Sequence, residues 1–463
     1  MNNLTQVIAA VSTPPGKGGV AIIRMSGKGA FEIADKVFFP ISGRSFSECK
    51  ERTQIYGYII ENGEKIDDVL ATRFPAPASY TGEDTVEIGC HGGILVTRTV
   101  LEALLRAGAV AATAGEFTKR AFINGRLSLT EAEAISDLLE AKSRDQIRLS
   151  GDSARTKLTE RIQKIRSSLV GAMSSVYARI DYPDEDLGDF SDEELTSLLY
   201  NIKKDCLSLA STYRTGRAIS QGVKTVICGK PNVGKSTLYN LLLGEDAAIV
   251  TDIPGTTRDV LEKSIPLGKI MLNIADTAGI RENENMDAVE RIGIKKSREM
   301  IEKSELLFTV FDISRPFDEE DRIILDAANK ANGAKIALLN KADLVSNFDE
   351  SQLSGFDAVI KISAGNDEDG VISLLSELVN KMFTDEKIVI GQDAIIASAR
   401  QHSALMRCID FIGTAIESLE LGFSQDAASS DIERAIGAIS ELDGRAVSEE
   451  IVSDIFSKFC VGK

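Results

Sequence analysis

The chain has 463 residues, of which 43% are hydrophobic and 27% charged, and its formal net charge is −17. That length exceeds one ordinary hydrophobic core and the composition is that of a soluble globular protein, so we expect two or three domains. The acidic balance argues against broad electrostatic capture of nucleic acid, because affinity for the phosphate backbone comes from clustered Lys and Arg. A nucleic-acid substrate would need a helper protein or a local basic patch; the basic residues of ARTKLTERIQKIR form either such a patch or a solvated helix face.

Cysteine and histidine usage narrows the chemistry further. The 6 cysteines lack a C-x-x-C pair and there are only 2 histidines, so a zinc site, a disulfide framework and histidine-based catalysis are not expected. The absence of an apolar run of about eighteen residues and of a charged-then-apolar leader predicts neither a membrane span nor secretion. The expected location is the cytoplasm.

The C-terminal segment FCVGK raises a separate question. Its Cys460 fits the outline of a prenylation box, but the residues after Cys460 fit that signal poorly. The alternative is a frayed tail with an incidental cysteine.

Residues 1–123 predict an α+β domain. Short β-like runs, VAIIRMS, TQIYGYII and DTVEIGC, are separated by Gly and Pro clusters, and VTRTVLEALLRAG has helical periodicity.

Residues 124–220 and 385–463 predict two parts of one helical domain. Apolar residues recur there at spacings of three and four over many turns. Ser191 with Glu194, and Ser430 with Glu433, have the spacing of capping boxes, which predicts helix starts at both places.

Residues 221–384 alternate short apolar strands with helical segments, which is the rhythm of a parallel sheet covered on both faces. We therefore expect an α/β domain inserted between the two helical parts. A folded insertion whose ends lie close together behaves as a short connection.

The strand KTVIC runs into GKPNVGKST, which matches the phosphate-binding loop G-x-x-x-x-G-K-[ST] with a strand before it and a helix after it. Backbone N–H groups and the helix N-terminus would hold the phosphates, Lys235 would reach the outer phosphates and Ser236 would ligate magnesium. The predicted loop residues are Asn232, Val233, Gly234, Lys235, Ser236 and Thr237.

Two further motifs follow on successive strands. DTAG follows the strand KIMLNIA. Asp276 would interact with the ligand shell of the magnesium ion, and Gly279 would respond to the presence of the terminal phosphate. NKAD closes KIALLNKAD, and its Asp343 can accept hydrogen bonds from the N1 and N2 donors of guanine, a pair that adenine lacks. Their order indicates GTP binding by a Ras-like P-loop GTPase domain. The residues are Asp276, Thr277, Ala278, Gly279, Asn340, Lys341 and Asp343, with Ser363 and Ala364 backing the base.

Hydrolysis needs another way to orient water, because Ile280 stands where Ras-like enzymes carry a glutamine. The stretch TDIPGTTRD offers hydroxyl and carbonyl oxygens, which are hard ligands suited to cations. Its candidate residues are Thr251, Asp252, Ile253, Pro254, Gly255, Thr256 and Thr257.

Taken together, the motifs resemble the MnmE (TrmE) family of tRNA-modification GTPases. Six motifs from Gly229 onward match that family: GKPNVGKS, TDIPGTTRD, DTAGIR, VERIG, NKAD and FCVGK. Three stretches nearer the start also match it: TPPGKGGVAIIRMSG, SYTGEDTVEIGCHGG and GEFTKRAFINGRLSLTEAEAI. The resemblance spans nearly the whole chain.

The resemblance implies a potassium ion where other GTPases insert an arginine finger, held by Asn232, Thr251, Ile253 and Thr256. It also implies that Thr257 joins Ser236 on Mg²⁺, and that Glu290 positions the attacking water through a bridging water. The segment RENENMDA before Glu290 is longer than expected for the family.

The resemblance further implies a 5-formyl-tetrahydrofolate site in the N-terminal domain, to which the tail returns. The matching residues are Arg24, Glu87, Arg126 and Lys463. Basic groups would meet the glutamate tail of the folate and Glu87 would accept from the pterin. Arg126 stands where relatives have lysine, which keeps the charge and changes the contact geometry. Cys460 is then either a nucleophile near the folate or an inert structural thiol.

The implied function is GTP hydrolysis coupled to a 5-carboxymethylaminomethyl or 5-aminomethyl modification of the wobble uridine of certain tRNAs. The implied assembly is a homodimer that forms a heterotetramer with the flavoprotein MnmG (GidA). Two rivals stay open: an Era-like ribosome-assembly switch, for which no G-x-x-G RNA-binding loop follows the GTPase segment, and a folate-dependent one-carbon transferase regulated by GTP.

Overall fold

A computed structural model describes residues 5–181, 191–244, 262–275 and 299–462. The chain divides into two compact units, of which the first comprises Met1–Ser136 and Ile436–Lys463 and the second Asp137–Ala435. The fold is multidomain: an α+β unit, a helical part and an α/β part built on a parallel sheet. The predicted domain boundaries after residues 123, 220 and 384 stay a prediction.

The first unit is built on a seven-stranded sheet with strand order β3-β4-β5-β6-β2-β1-β7. All neighbours pair antiparallel except β1 and β7, which run parallel. The strands are β1 (Ile8–Val11), β2 (Val20–Ser26), β3 (Phe38–Pro40), β4 (Ile55–Glu61), β5 (Glu64–Phe74), β6 (Thr85–His91) and β7 (Val110–Ala111). The sequence patterns found β2, β4 and β6, whereas β5 was not predicted.

Apolar side chains alternate with exposed ones along these strands, so one face of the sheet lies in a hydrophobic core. In β2, Ala21, Ile23 and Met25 are buried, while Val20 and Arg24 lie on the opposite face. The core face is covered by the first two helices of the unit, whose apolar residues join the same cluster. The helices of this unit are α1 (Ala30–Val37), α2 (Ile94–Arg106), α3 (Glu116–Ile123), α4 (Leu129–Glu140), and the C-terminal α13 (Gln425–Asp443) and α14 (Glu449–Ser457), of which α4 and α13 continue into the second unit.

The C-terminal segment is packed, in contrast to the frayed-tail interpretation. Phe456 and Phe459 are buried in a cluster with Leu129 and Val452. The backbone then returns to the N-terminal sheet region, where Ala114 and Val461 form an antiparallel bridge. Buried aromatic side chains and backbone hydrogen bonds hold the tail, so it is anchored as far as the structure describes it.

The second unit contains a six-stranded sheet with strand order β13-β12-β11-β8-β10-β9. Every neighbouring pair is parallel except the hairpin of β9 and β10. The strands are β8 (Val223–Cys228), β9 (Glu262–Leu267), β10 (Ile270–Ala275), β11 (Leu306–Asp312), β12 (Ala334–Asn340) and β13 (Ala358–Lys361). All seven residues of β11 are buried, as expected of a parallel strand covered on both faces. Strand β9 was missed by the sequence patterns.

Helices of the second unit cover the sheet and form a separate helical layer in which α7 packs on α6 and α12. These helices are α5 (Arg144–Ser150), α6 (Asp152–Asp181), α7 (Asp192–Ala210), α8 (Tyr213–Ser220), α9 (Lys235–Leu243), α10 (Glu319–Asn329), α11 (Glu368–Phe383) and α12 (Ala399–Glu420). Among the described residues, no helix combines the length and apolar character needed to cross a membrane.

The two predicted capping boxes had different outcomes. Ser191 accepts a hydrogen bond from the backbone of Glu194 and caps α7, which confirms the first. The second was wrong, because Ser430 lies inside α13, which begins at Gln425. A Ser-x-x-Glu spacing occurs by chance on the exposed face of a helix, and the apolar periodicity continues through Ser430 without a break.

Phe46 offers a test of the core of the first unit, since its ring is fully buried and packs edge-on against Phe38 with centroids 5.1 Å apart. We expect Phe46→Ala to lower the free energy of unfolding by about 3–5 kcal/mol, through lost burial and a cavity. Phe39→Ala is the matched control, because Phe39 is 43% exposed. Urea denaturation followed by circular dichroism measures both, and equal losses in the two variants would contradict this packing.

Candidate functional site

The phosphate loop leaves the carboxyl end of β8 and enters α9. Gly229 has φ +149° and Gly234, the residue before the helix, has φ +105°, a range that favours glycine. A Cβ at Gly229 would overlap the carbonyl oxygen of Val310, and one at Gly234 would overlap the amide of Asn340. The two glycines therefore allow the loop to lie against the neighbouring strands while α9 presents its N-terminus.

Lys235 begins α9 and its ammonium donates a hydrogen bond to the carbonyl oxygen of Lys230 at 2.6 Å. Burial lowers the pKa of Lys235. Ser236 and Thr237 follow in the first turn of α9 and are exposed. Burial raises the pKa of the neighbouring Cys228 thiol to about 11, so this thiol is neutral and unsuited to nucleophilic chemistry at pH 7.

Asn340 connects the phosphate loop to the loop predicted to recognise the base. This side chain is only 4% exposed; its Nδ2 donates to the carbonyl oxygen of Val233 at 2.8 Å and its Oδ1 accepts from the backbone N–H of Ala364 at 3.0 Å. Three predicted site segments, from β8–α9, β12 and the end of β13, thus meet at one amide. A buried amide with both ends bonded has one orientation, so it fixes the spacing of the segments.

Asp343 lies on the surface beside Ser363. Its carboxylate accepts hydrogen bonds from the hydroxyl of Ser363 and from the amide Nδ2 of Asn366, the latter at 3.0 Å. The bond from Ser363 is the largest cause that lowers the pKa of Asp343. The carboxylate is therefore charged at neutral pH and oriented, which is the state that accepting two N–H donors of a guanine requires.

Lys341 adopts a left-handed backbone conformation, φ +66°, which is uncommon for a residue other than glycine. Its ammonium donates to the buried carboxylate of Asp312 at 2.6 Å, and that carboxylate also accepts from the backbone N–H of Ser314 at 3.0 Å. Burial would raise the pKa of Asp312, but the hydrogen bonds from Lys341 and Ser314 outweigh it and lower the pKa. This pairing ties the NKAD loop to the end of β11.

Three residues of the site were not predicted from the sequence: Lys230, Asp312 and Asn366. Asp312 carried a signal, since it ends an apolar strand at the carboxyl edge of a parallel sheet, where ligands of such sheets bind. Lys230 occupies a variable position of the loop motif, and Asn366 follows a motif that ends at Ala364. Their partners are distant in sequence, so spacing could not reveal them.

Several predicted site residues lie outside the described part of the chain. They are Thr251, Asp252, Ile253, Pro254, Gly255, Thr256, Thr257, Asp276, Thr277, Ala278, Gly279, Glu290 and Lys463. Their roles in holding Mg²⁺, K⁺ and the attacking water stay predictions. Asn232, the described member of the predicted potassium set, is exposed and has φ +64°.

In the first unit, two residues of the predicted folate set pair with each other. Arg24 on β2 stands opposite Glu87 on β6, and its Nη2 lies 2.7 Å from the Oε1 of Glu87. The guanidinium also lies over the rings of Tyr80 and Phe117, at 5.4 and 5.7 Å from the centroids. The side chains are 18% and 31% exposed, so this pair is sheltered and still open to a ligand.

The tail returns to the same unit. Gly115 donates its backbone N–H to the carbonyl oxygen of Cys460 at 3.3 Å, and the hydroxyl of Ser12 donates to that of Gly462 at 3.0 Å. The thiol of Cys460 is exposed, as is Arg126, whose aliphatic stem lies near Gly82. The structure thus holds the backbone of Cys460 while leaving its sulfur accessible.

The six-stranded sheet, the glycine-rich loop before α9 and the linked NKAD and Ser363–Ala364 segments define a P-loop GTPase. Comparison with known proteins specifies the family. The family described as MnmE helical domain matches residues 129–460, and the family described as GTP-binding protein TrmE N-terminus matches residues 7–126. The chain belongs to the MnmE (TrmE) family.

Relatives named tRNA modification GTPase MnmE match over nearly the full length. One from Thermotoga sp. (strain RQ2) is 42% identical over 460 residues, covering 98% of this chain and 99% of the relative. One from Clostridioides difficile (strain 630) is 38% identical and covers 99% of this chain and 100% of the relative. A crystal structure of Era in complex with MgGDPNP and nucleotides of 16S ribosomal RNA covers 41% of this chain and 66% of its own at 22% identity and a TM-score of 0.27, too low to bear on fold or function.

Asp312→Asn tests the tie between β11 and the NKAD loop. We expect it to lower the free energy of unfolding at pH 7 by about 1–3 kcal/mol, because it weakens hydrogen bonds between charged groups. A carboxylate with a lowered pKa stabilises the fold above the pKa of the unfolded chain, about 3.9, and this is lost as pH falls through the folded pKa. The difference from the unsubstituted protein is therefore expected to be constant between about pH 5 and 8 and to shrink below about pH 4.

Asp326→Asn, at an exposed position of α10, is the control for that measurement. Urea midpoints at each pH provide the readout. A deficit for Asp312→Asn that stays the same down to the lowest pH would show that Asp312 does not act as a charged acceptor.

Proposed function

We propose that this chain hydrolyses GTP in order to drive modification of the wobble uridine of certain tRNAs, as a GTPase of the MnmE family. The observation that carries the proposal is the match to relatives named tRNA modification GTPase over 98% of this chain, combined with a linked phosphate and base site.

GTP fits the geometry of the second unit. The N-terminus of α9 and the backbone of residues 229–234 would hold the phosphates. Lys235 would keep its bond to the carbonyl of Lys230 and donate a further hydrogen bond to a phosphate oxygen, because an ammonium has three N–H donors. Asp343 would accept from the guanine, held by Ser363 and Asn366. Ser236, exposed in the first turn of α9, would ligate the Mg²⁺ that neutralises the β- and γ-phosphate oxygens.

Potassium is proposed as the activating cation. Asn232 supports this by its place in the phosphate loop, where its exposed side chain is available as an oxygen ligand. Thr251, Ile253 and Thr256 would complete the set, with Thr257 on Mg²⁺ and Glu290 on the attacking water. A monovalent cation next to the phosphates supplies the positive charge that other GTPases obtain from an arginine finger.

A tetrahydrofolate derivative, 5-formyl-tetrahydrofolate, is proposed as the one-carbon donor in the first unit. The sheltered Arg24–Glu87 pair between two aromatic rings supports it, since a guanidinium, a carboxylate and ring faces together suit a flat, polar heterocycle with an anionic tail. Arg126 and Lys463 would add charge for the glutamate tail. Cys460, with an exposed sulfur on a fixed backbone, is the candidate nucleophile near that site.

The proposed assembly is a homodimer that joins the flavoprotein MnmG (GidA) and tRNA in the cytoplasm. The net charge of −17 supports a partner in tRNA binding, because the flavoprotein would supply much of the positively charged surface that binds tRNA. The rival functions, an Era-like assembly switch and a one-carbon transferase regulated by GTP, predict different cellular outcomes and are separated by the next experiment.

Deleting the gene is expected to abolish the substituted methylaminomethyl group at carbon 5 of the wobble uridine, as measured by mass spectrometry of tRNA nucleosides. Re-expression of the wild-type chain should restore it, whereas the Lys235→Ala variant should not, because the outer phosphates lose their ammonium partner. Lys269→Ala, at an exposed hairpin position, is the control. Normal modification in the deletion strain would reject the proposal in favour of one of the rivals.

The rate of GTP hydrolysis is expected to be much higher in KCl than in NaCl at equal ionic strength, by about a hundredfold or more if the cation replaces an arginine finger. Asn232→Ala should remove most of this dependence. Phosphate release at saturating GTP is the measurement. Equal rates in the two salts would leave the guanine site in place and exclude the potassium mechanism.

A further inference from the structure

The side chain of Lys230 is an unusual feature of the phosphate loop, because it points into the protein. Lys230 follows directly after Gly229 and is 8% exposed. Its ammonium lies 2.7 Å from the Oδ2 of Asp318 and 2.8 Å from the Oδ2 of Asp321. A lysine this buried is stable only when its charge is paired.

The two carboxylates belong to the N-terminal cap of α10. Asp318 accepts from the backbone N–H groups of Glu320 and Asp321, and Asp321 accepts from the backbone N–H of Asp318 at 3.2 Å, which completes a capping box. The N-terminus of a helix favours anions and disfavours a cation. Lys230 is tolerated there because its ammonium is paired with both carboxylates, so the loop and α10 are joined by a charged cluster.

The backbone of Lys230 performs a second task, because its carbonyl oxygen accepts the ammonium of Lys235 at 2.6 Å. One residue is thus fixed by its side chain to α10 and, through its carbonyl, orients the lysine that reaches the phosphates. The other contacts of the loop described above are those of Gly229 with Val310 and of Val233 and Gly234 with Asn340.

We propose that Lys230 is a positioning residue for phosphate binding: its pairing with Asp318 and Asp321 holds the loop so that Lys235 and the backbone N–H groups face the phosphates. The inference rests on the proposed GTP site and adds a determinant of phosphate affinity at a position where the loop motif specifies no residue type. The N-terminus of α10 would thus support the phosphate loop through Lys230.

A positioning role and a purely structural role of this ion pair predict different effects on ligand binding. Loosening the loop weakens binding of phosphates and leaves the guanine contacts of Asp343 unchanged, since Asp343 is held by Ser363 and Asn366. Loss of general stability affects the fraction of folded protein and therefore acts equally on every ligand of the site. The comparison of GDP with guanosine separates the two.

The experiment measures GDP and guanosine affinity of the full-length chain by isothermal titration calorimetry. We expect Lys230→Met to weaken GDP binding by about 10- to 100-fold, the range of one or two lost charge-assisted hydrogen bonds. Guanosine affinity should stay within about twofold of the wild type, because Asp343 is held by Ser363 and Asn366 and not by Lys230. Lys230→Arg should recover most of the GDP affinity, and Lys269→Met, on the exposed β9–β10 turn, should change neither.

Because Lys230→Met leaves two carboxylates without their partner, it is accompanied by the double variant Lys230→Met/Asp321→Asn, which removes the buried unpaired charge. If the single variant does not fold, the double variant is expected to show the same selective loss of GDP affinity. Unchanged GDP affinity in the double variant, or equal losses for GDP and guanosine, would overturn the inference. Failure of the wild-type protein to bind GDP would instead reject the GTP site itself.

Discussion

The nucleotide site depends on one constraint: the phosphate loop must keep its N–H groups available for an anion and still hold one conformation. The protein meets this constraint with contacts behind the loop. Asn340 binds the carbonyl of Val233, and Lys230 is paired with two carboxylates of α10. These contacts use carbonyl oxygens and a side chain, so they leave the loop N–H groups for the ligand. The same amide of Asn340 sets the distance between the phosphate and base subsites through Ala364.

The proposed folate site in the first unit would be held together by contacts of a different kind. Arg24 and Glu87 are cross-strand neighbours on the sheet face opposite the core, and the C-terminal tail is fixed nearby by its backbone. Gly462 has φ +96°, and a Cβ there would overlap the carbonyl of Val11, so close approach of the tail requires glycine. Backbone contacts restrain the segment while the sulfur of Cys460 remains exposed.

Local patterns predicted the elements that carry strong periodicity or a motif with its flanking strand and helix. They found β2, β6, β8 and the N-terminus of α9, and they placed Lys235 after β8 and Asn340 and Asp343 at the end of β12. They missed β5 and β9, whose alternation includes charged or proline residues, and they placed a helix start at Ser430, inside α13. Such elements form because neighbouring strands and helices bury them. A short stretch of sequence does not contain those neighbours, so its pattern does not reveal the element.

The sequence by itself determined that this chain is a multidomain P-loop GTPase of the MnmE family, because the loop, the NKAD segment and the terminal motif are contiguous residues whose chemistry is local. Only the tertiary structure decided that Lys230 pairs with Asp318, that Asp312 holds Lys341, that Asn366 supports Asp343 and that the tail is packed. Those partners lie on different elements. Burial brings them together, and the cost of an unpaired buried charge is what selects the pairing.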